Sequence, residues 1–134
     1  MNKILIVSLS QKAKRFESEI KKTTNKILKI LGKDNVHLEI YLASPQKLRF
    51  LNKKYRKKNK AANILSFEEP KDFLYPDKQR RIGEIFLSDS AVLNKEKLVP
   101  LLIHGILHLF GYQHQTKSDR IKMEKKEQRL LNNL

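Results

Sequence analysis

Three of the chain's four histidines fall in the run His104-Gly105-Ile106-Leu107-His108-Leu109-Phe110-Gly111-Tyr112-Gln113-His114. Residues four apart share one face of an α-helix, with Cβ atoms about 5–6 Å apart. His104 and His108 can therefore present both imidazoles to one ion at about 2.0–2.1 Å from each nitrogen. His114 falls out of phase if the helix continues: six residues at about 100° each carry it about 120° around the axis and about 9 Å further along. Gly111 offers a way out, because glycine most readily takes the left-handed conformation that ends a helix. The chain can then turn and return His114 from a loop. Three neutral imidazoles with a fourth position left open are the donor set of a catalytic zinc rather than a structural one, so one zinc ion per chain is expected. A lone histidine on an apolar helix is ordinarily a core or surface residue. Here Leu101-Leu102-Ile103 and Ile106-Leu107 make the helix strongly apolar, and imidazoles in it are costly unless satisfied.

Composition sets the bounds. At 134 residues the chain is expected to form one domain over 1–134, long enough to bury a core without covalent staples. It has no cysteine, which excludes disulfides and thiolate ligands, so a metal must use nitrogen and oxygen donors. The net charge of +15, from 29 basic and 14 acidic residues, points to a polyanionic partner, most commonly nucleic acid. A compositional bias toward Lys, Asn and Ile would also give a basic chain. No basic amphipathic helix carries an aromatic insertion face, which argues against a membrane surface. The apolar run Ile4–Val7 is too short for a signal-peptide core and is followed by Ser8 and Ser10. No stretch approaches the ~18 apolar residues of a membrane span. The expected location is the cytoplasm.

The elements that must position these groups read as follows. Ile4 to Leu9 is a strand, and Gln11 to Leu31 a helix with Phe16, Ile20, Ile27 and Ile30 or Leu31 at near-helical apolar spacing and Gly32 as its stop. Val36, Leu38, Ile40 and Leu42 alternate at strand period, which sends His37 to the opposite, solvent face. Ser44-Pro45 is an N-cap with proline at the first helical position, opening a helix with Leu48, Leu51 and Tyr55 inward. Asn63 to Phe67 is a strand, Glu68 to Arg81 an exposed loop with Pro70 and Pro76, and Gly83 to Ser88 a strand. The histidine helix spans Lys95 to Phe110, with Pro100 tolerated only near its first turn. A charged helix, Ser118 to Leu131, closes an α+β domain.

Four segments carry a family resemblance: Leu51-Asn52-Lys53-Lys54-Tyr55-Arg56, Ala62-Asn63-Ile64-Leu65-Ser66-Phe67, Gly83-Glu84-Ile85 and the histidine run. In this order they closely resemble the YbeY family of bacterial metal-dependent endoribonucleases, over Leu51 to His114. There are three departures. Ala62 stands where the family usually has Thr. Gln113 stands where Asp is usual, which removes a carboxylate beside the third ligand. The stretch from Ser88 to His104 is short. The resemblance implies a small α+β domain whose four-stranded, mostly parallel sheet has one antiparallel strand and flanking helices. It implies ribosomal RNA processing and ribosome quality control, with small-subunit ribosomal RNA and ribosome-associated proteins as partners. The zinc ligands map to His104, His108 and His114, and the critical arginine to Arg56.

The chemistry is coherent on its own terms. A three-histidine zinc makes a nucleophile from water at neutral pH. A phosphodiester under attack gains negative charge on its non-bridging oxygens, which an arginine's planar fork matches. Lys57, Lys58 and Lys60 are expected to hold the RNA backbone without reading its sequence. Without the resemblance, Arg56 would read as part of a solvated basic run. Tyr112 is expected to pack rather than act as an acid or base, although its hydroxyl could hydrogen-bond a bound phosphate.

Two other functions compete. The spacing H-x-x-x-H-x-x-G-x-x-H also occurs in zinc proteases, but those need a glutamate after the first histidine. Gly105 occupies that position, although Glu84 or another distant carboxylate could substitute. The other reading is a non-catalytic, zinc-containing RNA-binding ribosome-assembly factor, with Asp119 or Glu124 closing the site as fourth ligand.

Overall fold

Val36, Leu38, Ile40 and Leu42 build the strand around which everything else is arranged. In the computed structural model, which describes residues 1–69 and 79–134, this strand is β2, Val36–Ala43. It lies between two parallel neighbours, β1 (Lys3–Ser8) and β4 (Arg80–Ser88). Strand β3 (Ile64–Glu68) pairs antiparallel with β4, giving the sheet order β1-β2-β4-β3. This is the expected α+β architecture, with the expected single antiparallel strand.

One sheet face carries Ile4, Leu38, Ile40, Leu42, Ile85 and Leu87, all buried. It packs against helices α1 (Glu17–Ile30) and α3 (Lys95–Leu109), and α4 (Lys117–Asn133) packs in turn on those two helices. The other face receives α2 (Pro45–Arg56), whose Leu48 and Leu51 cluster with Ala43 and Leu65. Local capping follows the sequence. Ser44 Oγ accepts from the Lys47 N–H at 3.2 Å ahead of Pro45, and Asn94 Oδ1 accepts from the Glu96 N–H at 3.0 Å.

Several expectations need correction. His37 does lie opposite Val36 and Leu38, but it is only 5% exposed. A central strand with parallel neighbours is covered on both faces, and the Arg81 guanidinium lies 3.5 Å from the His37 ring. Tyr55 does not point into the core. It is 59% exposed, its ring edge-on to Phe67, and Asn52 is buried in α2 beside Leu48 and Leu51. The helix expected from Gln11 begins as a 3-10 turn, Gln11–Phe16. The segment Glu68 to Arg81 is not all loop: its ends belong to β3 and β4, while residues 70–78, with Pro70 and Pro76, lie outside the described residues. Pro100 sits a turn inside α3, where the bond forgone is the one to the Glu96 carbonyl.

Candidate metal centre

The left-handed turn after α3 is present and has a definite form. Phe110 caps the helix and Gly111 has φ +93°. The Tyr112 N–H donates to the Leu107 carbonyl at 3.1 Å, and the Gly111 N–H to the His108 carbonyl at 3.0 Å. These are the two bonds of a Schellman motif, which satisfies helix-end carbonyls. Tyr112 packs on the core, as expected of it. The turn brings His114 back, with ring centroids 5.5 Å from His104 and 5.0 Å from His108. Among the described residues, His104, His108 and His114 alone form a cluster able to hold a metal ion, with one ligand nitrogen of each within 4.8 Å of the others. Asp119 and Glu124 are not part of it, and Asp119 lines a different depression with Phe110 and Gly111.

The hydrogen bonds around the rings fix what the nitrogens offer. His108 Nδ1 lies 2.8 Å from the Tyr112 carbonyl and His104 Nδ1 lies 3.3 Å from Glu127 Oε2 on α4. A carbonyl and a carboxylate only accept, so both Nδ1 atoms carry the proton. In neutral rings both Nε2 atoms then present lone pairs, and these face each other at 3.0 Å. Two lone pairs so close are stabilised by a cation between them, so the donor set fits a metal. Burial pushes the His108 imidazole down to about 4; neighbouring His104, His114 and Arg56 act in the same direction, against the Tyr112 carbonyl. It is neutral at neutral pH, as a ligand must be.

The triad opens into a cleft of about 560 Å³, whose lining includes Arg56, Lys58, Ser66 and Glu68. Arg56 ends α2 and donates from Nη2 to the Ser66 carbonyl at 2.6 Å. This bond orients the guanidinium and leaves other donors of the fork available. Ser66 Oγ in turn donates to the Gly105 carbonyl at 3.3 Å, which links β3, the strand that holds the arginine, to the histidine helix. A Cβ at Gly105 would lie 2.6 Å from Ile64 Cδ1 and 3.1 Å from Ser66 Oγ. A side chain there would have to displace these side-chain ends, the Ser66 hydroxyl that bonds the Gly105 carbonyl among them.

Of the three lysines, only Lys58 lines the cleft. Lys57 is the left-handed cap of α2, and all three are exposed. The loop they occupy is tied down. Asn52 Nδ2 donates to the Lys60 carbonyl at 3.1 Å, and Arg49 Nε to Asn59 Oδ1 at 3.0 Å. Sequence reasoning missed Asn52, Ser66, Glu68 and Glu127. The first two stood inside the family motifs, whereas nothing local marks Glu127. Glu84 pairs in register with Glu39, on the face away from the histidines, so it cannot serve the triad.

A family model described as Endoribonuclease YbeY matches residues 6–134. The chain is 34% identical over 134 residues to Endoribonuclease YbeY of Sulfurihydrogenibium sp., covering 91% of this chain and 85% of the relative. It is 37% identical over 130 residues to Endoribonuclease YbeY of Pelagibacter ubique, covering 88% and 84%. Its fold is similar to the solution structure of TM1509 from Thermotoga maritima, with a TM-score of 0.55 and 24% identity over 97% of this chain and 90% of that one.

Proposed function

The chain belongs to the YbeY endoribonuclease family, and from that premise we propose that it is a zinc-dependent endoribonuclease. It cuts single-stranded RNA in the cytoplasm, during ribosomal RNA maturation and ribosome quality control. The observation that carries this reading is the opening of a three-histidine donor set into the same cleft as an oriented arginine. A zinc ion held by His104, His108 and His114 supplies Lewis acidity and a nucleophile at neutral pH. Arg56 meets the charge that develops on the scissile phosphate. Glu68, the carboxylate lining the cleft, is the group suited to accept a proton. Lys58 holds the adjoining backbone from within the cleft, and Lys57 and Lys60 contribute long-range attraction that weakens with salt. Small-subunit ribosomal RNA and ribosome-associated proteins are the partners in this reading. Among the described residues no helix is long and apolar enough to cross a membrane.

The protease alternative is disfavoured by packing as well as by composition. A glutamate after the first histidine would drive its Cβ into Ile64 and Ser66. The non-catalytic alternative requires a fourth protein ligand, which the described residues do not provide.

The test is cleavage of an unstructured RNA by metal-replete and metal-stripped protein, with His108→Ala as the control for contaminating nuclease. Arg56→Ala is expected to keep its metal and most of its RNA affinity while its single-turnover rate falls about 10²–10³-fold, the range for losing one charge-stabilising donor. Arg56→Lys recovers part of the rate, since an ammonium lacks the bidentate fork. Cleavage by Arg56→Ala at the parent rate, at saturating enzyme, would show that the arginine only binds.

A further inference from the structure

Tyr55 is 59% exposed although it lies on the same side of α2 as Leu48 and Leu51. Exposure of one aromatic ring means little by itself. Its surroundings mean more. The Tyr55 ring stands edge-on to Phe67, with centroids 5.7 Å apart and an interplanar angle of 72°. That contact steadies the ring while leaving most of it open. The Lys54 ammonium lies 5.3 Å from the Tyr55 centroid, and the Arg56 guanidinium lies 5.6 Å from that of Phe67. Arg56 also lines the histidine cleft. Tyr55 and Lys54 do not line the cleft themselves, but they precede Arg56, which does. Phe67 touches both the Tyr55 ring and the Arg56 guanidinium, so a steadied open aromatic ring and an ammonium lie next to the guanidinium of the cleft. Unpaired RNA is recognised by this combination, in which bases stack on aromatic rings and cations track the phosphates.

We propose that Tyr55 is a base-stacking residue, on which one nucleobase beside the phosphate at Arg56 lies during binding. The proposal rests on the RNA reading above and adds to it the group that seats the base. Lys54 does not close the ring to a base. An exposed cation–π contact is worth about two- to fivefold in an equilibrium, whereas a stacked base is worth about fivefold or more. Phe50 is the internal control. It is 53% exposed and shares the Lys54 ammonium, 5.8 Å from its ring, with Lys47 at 5.4 Å, but it has no counterpart of the Tyr55–Phe67 contact and is not adjacent to Arg56 in sequence.

The experiment is a binding titration of short unstructured RNA oligonucleotides at several salt concentrations, with metal content and Tm measured for every variant. Tyr55→Ala is expected to weaken binding about fivefold or more without changing the slope of log Kd against log salt, because no charge is removed. Tyr55→Phe should bind as the parent does. Lys54→Ala should lower the slope, and Phe50→Ala should change neither quantity. An abasic scan identifies the base concerned: at one position the loss caused by Tyr55→Ala should disappear. The proposal is overturned if Tyr55→Ala binds as the parent does, if Phe50→Ala costs as much, or if no abasic position absorbs the loss. A parent protein with no salt-dependent RNA affinity would overturn the RNA reading itself, and this proposal with it.

Discussion

His37 and His104 sit on opposite faces of one sheet and differ in a way opposite to their burial. The His37 side chain is 6% exposed and that of His104 33%, yet the more exposed ring belongs to the cluster able to hold a metal ion. His37 Nε2 lies 3.4 Å from Glu39 and 3.5 Å from Arg81, in a strand whose alternation brings no second imidazole to it. His104 and His108 instead use their outer nitrogens on a carboxylate and a carbonyl, so their inner nitrogens converge. Between these two histidines the partners, and not the depth in the protein, set which nitrogens converge where an ion could sit.

The widest break in this comparison is in metal content. His108→Ala should lose its metal at neutral pH, by elemental analysis, and its cleavage should fall to background. His37→Ala should keep both and lose only stability, by roughly 1–3 kcal/mol in denaturant unfolding. Metal loss from His37→Ala would remove the distinction between the two faces. A smaller effect belongs to Glu127. Removing such a partner of a metal-bound histidine typically costs about 10–100-fold in metal affinity, so Glu127→Ala should show that loss in chelator competition. Glu127→Gln should lose less, because its amide oxygen still accepts from the His104 Nδ1–H.

The smallest effect is expected on the far face. Burial, and then Glu39 and Glu69, raise the Glu84 pKa. The folded state thus holds this proton to higher pH than the unfolded chain does, and the associated stability is lost as pH rises through the folded pKa. At neutral pH the ionised Glu84 is a burden, so Glu84→Gln should stabilise the protein by at most about 0.5 kcal/mol after solvent screening. The gain should shrink as pH falls into the carboxylate range. A Tm difference that grows in acid would contradict this sign.

How much was legible depended on the distance along the chain over which a feature is decided. The histidine cluster was legible because helical spacing and Gly111 are both local, and the turn formed between Leu107 and Tyr112 needs nothing from elsewhere. The four-stranded, mostly parallel sheet with one antiparallel strand followed from the resemblance, whereas the strand order β1-β2-β4-β3 came only with the structure. The environment of His37 was not legible, because it depends on β2 being central. The exposure of Tyr55 depends on how α2 meets the sheet, and Glu127 reaches His104 across 23 residues of sequence. Gly105 could be read as the absence of a catalytic glutamate, but the reason for it, the close approach of α3 to β3, requires the tertiary structure.

The contact between Glu127 and His104 has one more consequence. It fastens α4 to a proposed ligand of the candidate metal centre, so occupancy of that centre and attachment of α4 would be coupled in both directions. An ion at a hundred times its dissociation constant adds about 2.7 kcal/mol to the state that binds it. Peeling α4 away would then have to overcome part of that energy as well as the packing of Met123 and Leu130. The susceptibility of this helix to proteolysis would therefore serve as a gauge of how fully the protein is loaded.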